Sequence, residues 1–518
     1  MNPNLTGRVL YWGMLSLYFL FLGYQILHSD YLFTDEAFML WHQQDHHTLF
    51  AYWGTQGRAL TGWLEQWLFE ACGRTANVKC IRLLSLGECM VTLVFLFFML
   101  RRLQRKGGLP LSDLQIYLTV AFVAASLSTT ICIGWAVCTE IFIPILLSLA
   151  AGWLLYEAVQ PSGLPGDPVR IPALITLSVL VLGVTALFFY QSPYPFLLLP
   201  CYLLFLTRKD GKIGRPVIVG LVYYFAGLVI YFLLFKYSLK ASAMVASDRT
   251  ELAFKPLDRI SFFFSFPMNQ AFNGNAFFDA RSLFSQAMFP VLFLCWVALV
   301  FYSGRGQTAR NIRYLLGMLA FWILGYLPLL IAKESFGPYR TMLVLSVMVF
   351  MMLADAALPL IRSPRMRTAV SFVLIGVLLA AGAYHYKVYL ADPLKKEYQS
   401  VRAAVRDGYT DRIREVVFIR ASDHGFEKSL GIGSYKDEFG MPSTNKDWTP
   451  EPLVRQIVLE LTGSRQRAEA LRLVQYAGLE EWKAAAGKRG ATNPAGTGLA
   501  GIDSVLIIDA SRLLNDLQ

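Results

Sequence analysis

Val9-Leu-Tyr-Trp-Gly-Met-Leu-Ser-Leu-Tyr-Phe-Leu-Phe-Leu-Gly-Tyr-Gln-Ile-Leu27 is an apolar run without a single charged residue, and its reading decides the fold class. As a helix it reaches about 30 Å, the thickness of a bilayer's hydrocarbon core. It is too long for the apolar region of a typical signal peptide and lacks a convincing small-residue cleavage site, so it reads as an uncleaved first span. Comparable runs recur near 78–100, 114–133, 135–156, 171–190, 215–237, 286–303, 312–332, 340–361 and 367–390. A shorter one at 194–207 contains Pro195 and Pro200. Together they predict an α-helical polytopic membrane protein with about eleven transmembrane helices. The break between 133 and 135 is tight and is the least defined boundary.

Composition agrees. Of 518 residues 55% are hydrophobic and only 16% charged, where soluble proteins carry about a quarter; the mean hydropathy is +0.45. The net charge of +11 would fit a nucleic-acid partner, but its placement excludes that reading. Basic residues gather in short connections, at Arg101 to Lys106, Arg208 to Arg215, Arg305 to Arg313 and Arg362 to Arg367, and Arg8 precedes the first span. Cytoplasmic loops carry this bias, so the N-terminus is expected inside. The loop 157–170 is nearly neutral, and counting the short span keeps the later clusters on one side. Loop 28–77, Thr139-Glu140, residues 191–194, loop 238–285, residues 333–340 and everything after 391 then face outward. In a bacterium that is the periplasmic side of the inner membrane.

The seven cysteines form no CxxC pair and none lies after residue 390. Neither a disulfide framework nor a zinc–thiolate site is expected, with Cys132 and Cys138 the one pair worth locating. The tail differs in kind: 1–394 reads as the membrane domain and 395–518 as a small α/β domain outside the membrane. Within it 415–420 and 504–509 read as strands, 453–461 and 468–476 have helical spacing, and 487–501 reads as a loop.

The outward face holds the chemistry. Asp35 and Glu36 follow the first span, and a carboxylate near a low-dielectric boundary gains basicity and can take a proton from a hydroxyl. An acidic helix start needs no catalytic explanation, so both readings stand. Gly57-Arg58 precedes a helical stretch whose apolar residues Leu60, Trp63, Leu64, Trp67, Leu68 and Ala71 form one stripe. That stripe suits the lipid interface, or packing on other spans. A helix start with Arg58 is a phosphate site in prospect. His42 and His46 have the i, i+4 spacing of metal ligands, but without HExxH substrate hydrogen bonding by His46 or His47 is expected instead. No metal is required, although a divalent ion is compatible. Lys333, Glu334 and Arg340 form a second group, two cations for a lipid phosphate and a carboxylate to orient one of them. Glu140, Arg249 and Asp279 are lesser candidates on that side.

This order of features resembles the GT-C class of polytopic glycosyltransferases, and more nearly the bacterial enzymes that glucosylate O-antigen. The resemblance rests on Thr34-Asp35-Glu36 and Trp53-Gly-Thr-Gln-Gly57-Arg58-Ala-Leu60 and covers the first 100 residues best. It implies a polyprenyl-phosphate-linked sugar as donor, a cell-surface glycan or glycolipid as acceptor, and inverting transfer with no cofactor. It further implies that Asp35, or Glu36, is the base and that Arg58, Lys333 and Arg340 hold the donor phosphate. The pattern elsewhere often has two aspartates, so the choice between Asp35 and Glu36 stays open. No Walker-type loop is present. A flippase would place ionisable groups at mid-bilayer, where Glu88 and Asp355 are the main ones. An O-antigen polymerase or ligase would differ in using a lipid-linked oligosaccharide.

Overall fold

The computed structural model describes residues 3–106, 109–159, 171–252, 255–273, 283–335, 337–431, 433, 438–488 and 504–515. It is 77% helical. Among the described residues eight helices are long and apolar enough to cross a membrane, or nine if the bent pair Asp113–Ala125 and Leu127–Gly134 is one span. Two shorter apolar helices, Ala173–Phe189 and Tyr194–Arg208, occupy the places of two further expected spans. The protein is a helical membrane protein carrying one small sheet.

The chain opens with α1 (Pro3–Leu27), then α2 (Asp35–Trp41), α3 (His46–Thr55), α4 (Ala59–Cys72) and α5 (Val78–Lys106). The indistinct boundary near residue 134 has a physical origin. The expected span 114–133 bends by 43° at Ser126, whose hydroxyl caps the second half by accepting from the Thr129 amide at 3.2 Å. The chain then leaves the helix at Gly134 and passes through a 3₁₀ segment, Ala136–Ile141, into Phe142–Val159. A helix end exposes carbonyls that need donors. The Gly134 carbonyl receives Tyr31 Oη–H at 2.7 Å and Arg82 Nε–H at 3.0 Å. Cys132 and Cys138 are both free and buried.

The last long helix continues from Pro364 to Gly408 and carries the chain from the bundle into the tail. There β1 (Glu415–Ile419), β2 (Arg472–Tyr476) and β3 (Val505–Asp509) form a parallel sheet in the order β2-β1-β3. β1 and β3 fall where strands are expected, and helix Pro450–Thr462 contains the expected 453–461. The stretch 468–476 is not a helix. It holds the end of a short helix, Arg465–Glu469, followed by β2. Tertiary context decides this: β1 is buried from Val416 to Ile419, and a central parallel strand needs a neighbour on each side. Of 487–501, residues 489 onward lie outside the described residues.

The tail sits on loop 28–77. Helix Pro450–Thr462 packs against α2. Arg465 donates to the Trp41 carbonyl and to Gln44, and Glu460 accepts from the Thr75 amide at 2.8 Å.

Candidate active site

Asp35 and Glu36 open α2 and point to different places. Glu36 is fully buried. Its Oε2 accepts from the Phe33 amide at 2.7 Å and pairs with the Arg82 guanidinium, while Oε1 accepts from the Ala136 amide at 2.6 Å. Arg82 also lies over the Tyr31 ring, 3.6 Å from its centroid. Every strong bond of Glu36 is therefore internal. The turn it closes holds Thr34 at φ +41°, a backbone conformation a β-branched residue rarely adopts unless its surroundings impose it. Expected as a possible base, Glu36 instead anchors the loop, because no face of its carboxyl reaches solvent.

Asp35, one residue earlier, is half-buried and lines a cavity of about 470 Å³. Thr34, Phe38, Tyr52, Trp135, Arg249, Pro338, Arg340, Glu438, Lys446 and Trp448 complete the wall. Five separate parts of the chain meet here: loop 28–77, the turn at Trp135, loop 238–252, loop 333–340 and the tail. Burial pushes the Asp35 carboxyl up from its ordinary range, against the pull of Arg340 and of the Trp448 hydrogen bond. A carboxylate so placed is a stronger base than one in water.

Loop 238–252 reaches the cavity because its backbone is tied at two places. The Ser247 amide donates to the Thr55 carbonyl at the end of α3. The Lys333 and Glu334 amides donate to the carbonyls of Glu251 and Asp248.

The expected cations separate into three fates. Arg340 lines the cavity, paired with Glu438 at 2.5 Å and set over the Trp135 ring at 4.7 Å. Lys333 points away from the cavity and pairs with Asp248 and Glu251 at 3.1 and 2.8 Å. Arg58 is buried with its guanidinium 3.8 Å from the Tyr190 ring centroid and is not on the cavity wall. Glu334 orients neither expected cation but Arg249, at 3.1 Å.

α4 has an unexpected inner face. Trp63 and Trp67 point outward, 71% and 63% exposed, while Thr61, Gly62, Glu65, Leu68, Phe69 and Cys72 are buried. The apolar stripe is thus split, with its tryptophans turned out from the protein and Leu68 inward. Thr61 Oγ1 donates to the Phe189 carbonyl at 2.6 Å. Glu65 is inaccessible to solvent, as is Glu140 beside it. Neither Glu65 oxygen has a hydrogen-bond partner among the described residues. Burial, then the neighbouring Glu140, raises the Glu65 carboxyl well above the ordinary range. Both effects favour the neutral acid.

His47 is exposed at the start of α3, and His46 begins that helix. His47 does not line the cavity, and the His46 side chain lies outside what the structure describes. Glu140 lies within the bundle near Glu65 and not on the cavity wall. Asp279 lies outside the described residues. The residues that sequence reasoning missed are Glu438, Lys446 and Trp448. No local motif marks them, since their role follows from the docking of the tail. Arg249 had a signal, being basic in an outward loop, but no spacing singled it out.

A second cavity of about 450 Å³ lies between helices Ala173–Phe189, Arg215–Ala241 and Thr308–Leu330. Phe225, Leu228, Phe232, Leu327 and Ile331 make its wall largely apolar. Arg249 lines both cavities, so the two adjoin at one cation.

No protein-family model, curated protein or solved structure matches the chain.

Proposed function

We propose that the protein is a polytopic glycosyltransferase of GT-C type that moves a sugar from a polyprenyl-phosphate donor to a cell-surface glycan or glycolipid. The observation that carries this reading is the junction at Arg249. A polar cavity with one available carboxylate and three cations, Arg249, Arg340 and Lys446, adjoins an apolar groove between helices. A lipid phosphate needs that combination: an apolar groove for its tail and positive charge at headgroup depth. Glu438 is the other carboxylate on the wall, and it is committed to Arg340 and the Tyr339 amide.

In this reading Asp35 takes the proton of the acceptor hydroxyl as its oxygen attacks the anomeric carbon. The carbon–oxygen bond to phosphate breaks, and the polyprenyl phosphate leaves with the electron pair, met by Arg249 and Arg340. Attack from the face opposite the leaving group inverts the anomeric centre. The reaction belongs at the outer surface of a bacterial inner membrane, in line with the charge pattern of the loops.

The test uses purified full-length protein in proteoliposomes. A panel of radiolabelled polyprenyl-phosphate monosaccharides serves as donor and extracted envelope glycolipid as acceptor. Label should move to the acceptor with at least one donor, and Asp35→Asn should lower transfer by roughly 10² to 10⁴ at equal protein content. Label that stays with every donor sinks the reading, and near-normal turnover in the Asn variant sinks the base assignment.

A further inference from the structure

Trp448 stands 413 residues from Asp35 in the chain, yet its indole Nε1–H donates to Asp35 Oδ1 at 2.7 Å. The side chain is 47% exposed and lines the cavity. An indole N–H can only donate, so it supports the carboxylate without competing for the incoming proton. Among the described residues Oδ2 of Asp35 has no hydrogen-bond partner and remains available.

The segment that presents Trp448 is held at several points along its length. Glu438 accepts from the Tyr339 amide at 2.6 Å and from Arg340. The Gly440 amide donates to the Tyr389 carbonyl at 2.8 Å. The buried Glu397 carboxylate takes the amides of Ser443 and Thr444 at 2.8 and 3.0 Å. Ser443 Oγ donates to the Leu32 carbonyl, two residues before Thr34. Immediately after Trp448 the chain enters the helix that packs on α2. The strap is thus fastened to the same loop whose aspartate it contacts, which is the arrangement a precise side-chain placement needs.

We infer that the C-terminal domain is a working part of the site: Trp448 is a positioning residue that holds Asp35, and its part-exposed indole, with the Lys446 ammonium 5.9 Å from the ring centroid, is where the acceptor's pyranose ring lies. This rests on the proposed transferase reading. The donor side of the cavity is marked by Arg249 and the apolar groove, to which Trp448 does not belong. The tail side is left for the acceptor, and an aromatic face offers the apolar C–H face of a sugar a broad contact with a polar edge. The charged and titratable groups around Asp35 are Arg340, Arg249 and Lys446, which favour its ionisation, with Tyr52 and Glu438 on the same wall and the buried Glu65 close enough to feel its charge. The indole bond also favours the ionised form, so its loss moves Asp35 toward higher pKa.

Trp448→Phe keeps the ring and removes the donor, whereas Trp448→Ala removes both. In the proteoliposome assay, Trp448→Phe should lose about tenfold to a hundredfold in kcat, the scale of a hydrogen bond to a charged group. The acid limb of its pH profile should move to higher pH, with acceptor KM nearly unchanged. Trp448→Ala should raise acceptor KM in addition. Wild-type kcat and an unmoved acid limb in Trp448→Phe overturn the positioning role, and an unchanged acceptor KM in Trp448→Ala overturns the stacking role. A substrate-free check labels Asp35 with a water-soluble carbodiimide and glycinamide, followed by mass spectrometry across pH. Trp448→Phe should label to higher pH than wild type, and identical profiles count against the inference. Asp35→Asn separates the two readings: a dead Asn variant beside a normal Trp448→Phe sinks only this inference, and an active Asn variant sinks the base.

Discussion

Glu36 and Arg82 form an ion pair that solvent does not reach, both side chains being 1% exposed or less. Glu36 also receives the amides of Phe33 and Ala136, so one carboxylate joins the loop after α1, α5 and the 3₁₀ segment after Gly134. Breaking a buried pair leaves a charge without compensation, at a cost of about 3–5 kcal/mol. Glu36→Gln should therefore lower the melting temperature of the detergent-purified protein sharply, and Asp35→Asn should leave it nearly unchanged. The double variant Glu36→Gln/Arg82→Met should recover part of the loss, because the stranded guanidinium is gone. Melting curves of the four proteins decide it. Equal stability of the Glu36→Gln variant and wild type would return Glu36 to the list of possible bases.

Arg58 and Arg340 were equivalent as cations in the sequence, and the structure distinguishes them. Arg340 lines the cavity that holds Asp35. Arg58 stacks under Tyr190, next to the buried acids Glu65 and Glu140. Replacing Arg340 by Met should raise donor KM by roughly tenfold to a hundredfold, the worth of one charged hydrogen bond. Arg58→Lys should change donor KM little but lower thermal stability, since a lysine cannot reproduce the planar stack. Titrating the donor against both variants in the same vesicles gives the ranking. A larger donor KM effect at Arg58 would restore its phosphate role.

How far the sequence could be read follows from the range of each interaction. Hydrophobic length and loop charge are local, so the membrane helices and two of the tail's three strands, β1 and β3, were legible. The acid pair after the first span was legible as a candidate, but the division of labour within it was not. Arg82 lies in a helix 46 residues on, and nothing at Glu36 marks it as the partner. The same limit explains Trp448, whose contact with Asp35 exists only because the tail docks on α2. It explains β2 as well: Ala468 to Tyr476 has helical spacing on its own and becomes largely strand beside β1. α4 misled in another way. Its tryptophans obeyed the expected stripe, yet the protein-facing side holds Thr61 and Glu65, because a helix bordering lipid turns apolar residues outward and can bury polar ones.

Glu65 gives the last prediction, and its sign can be worked out. Its folded-state pKa is raised by burial and by Glu140, whereas in the unfolded chain it titrates at about 4.3. Below that value both states hold the proton and the native state carries no penalty. Between the unfolded value and the raised native value, the native state binds more protons than the unfolded one. Stability must then fall as pH rises through that interval. Wild-type melting temperature should decline as pH rises above the unfolded value of about 4.3, and Glu65→Gln should flatten the decline. The amide keeps the shape of the neutral acid and cannot ionise, so the variant should equal or exceed wild type at the alkaline end. Tryptophan-fluorescence melting across that range measures both slopes. A wild-type curve that rises with pH, or a Gln variant that declines more steeply, would mean that Glu65 is ionised in the folded protein and that Arg58 is its counter-charge.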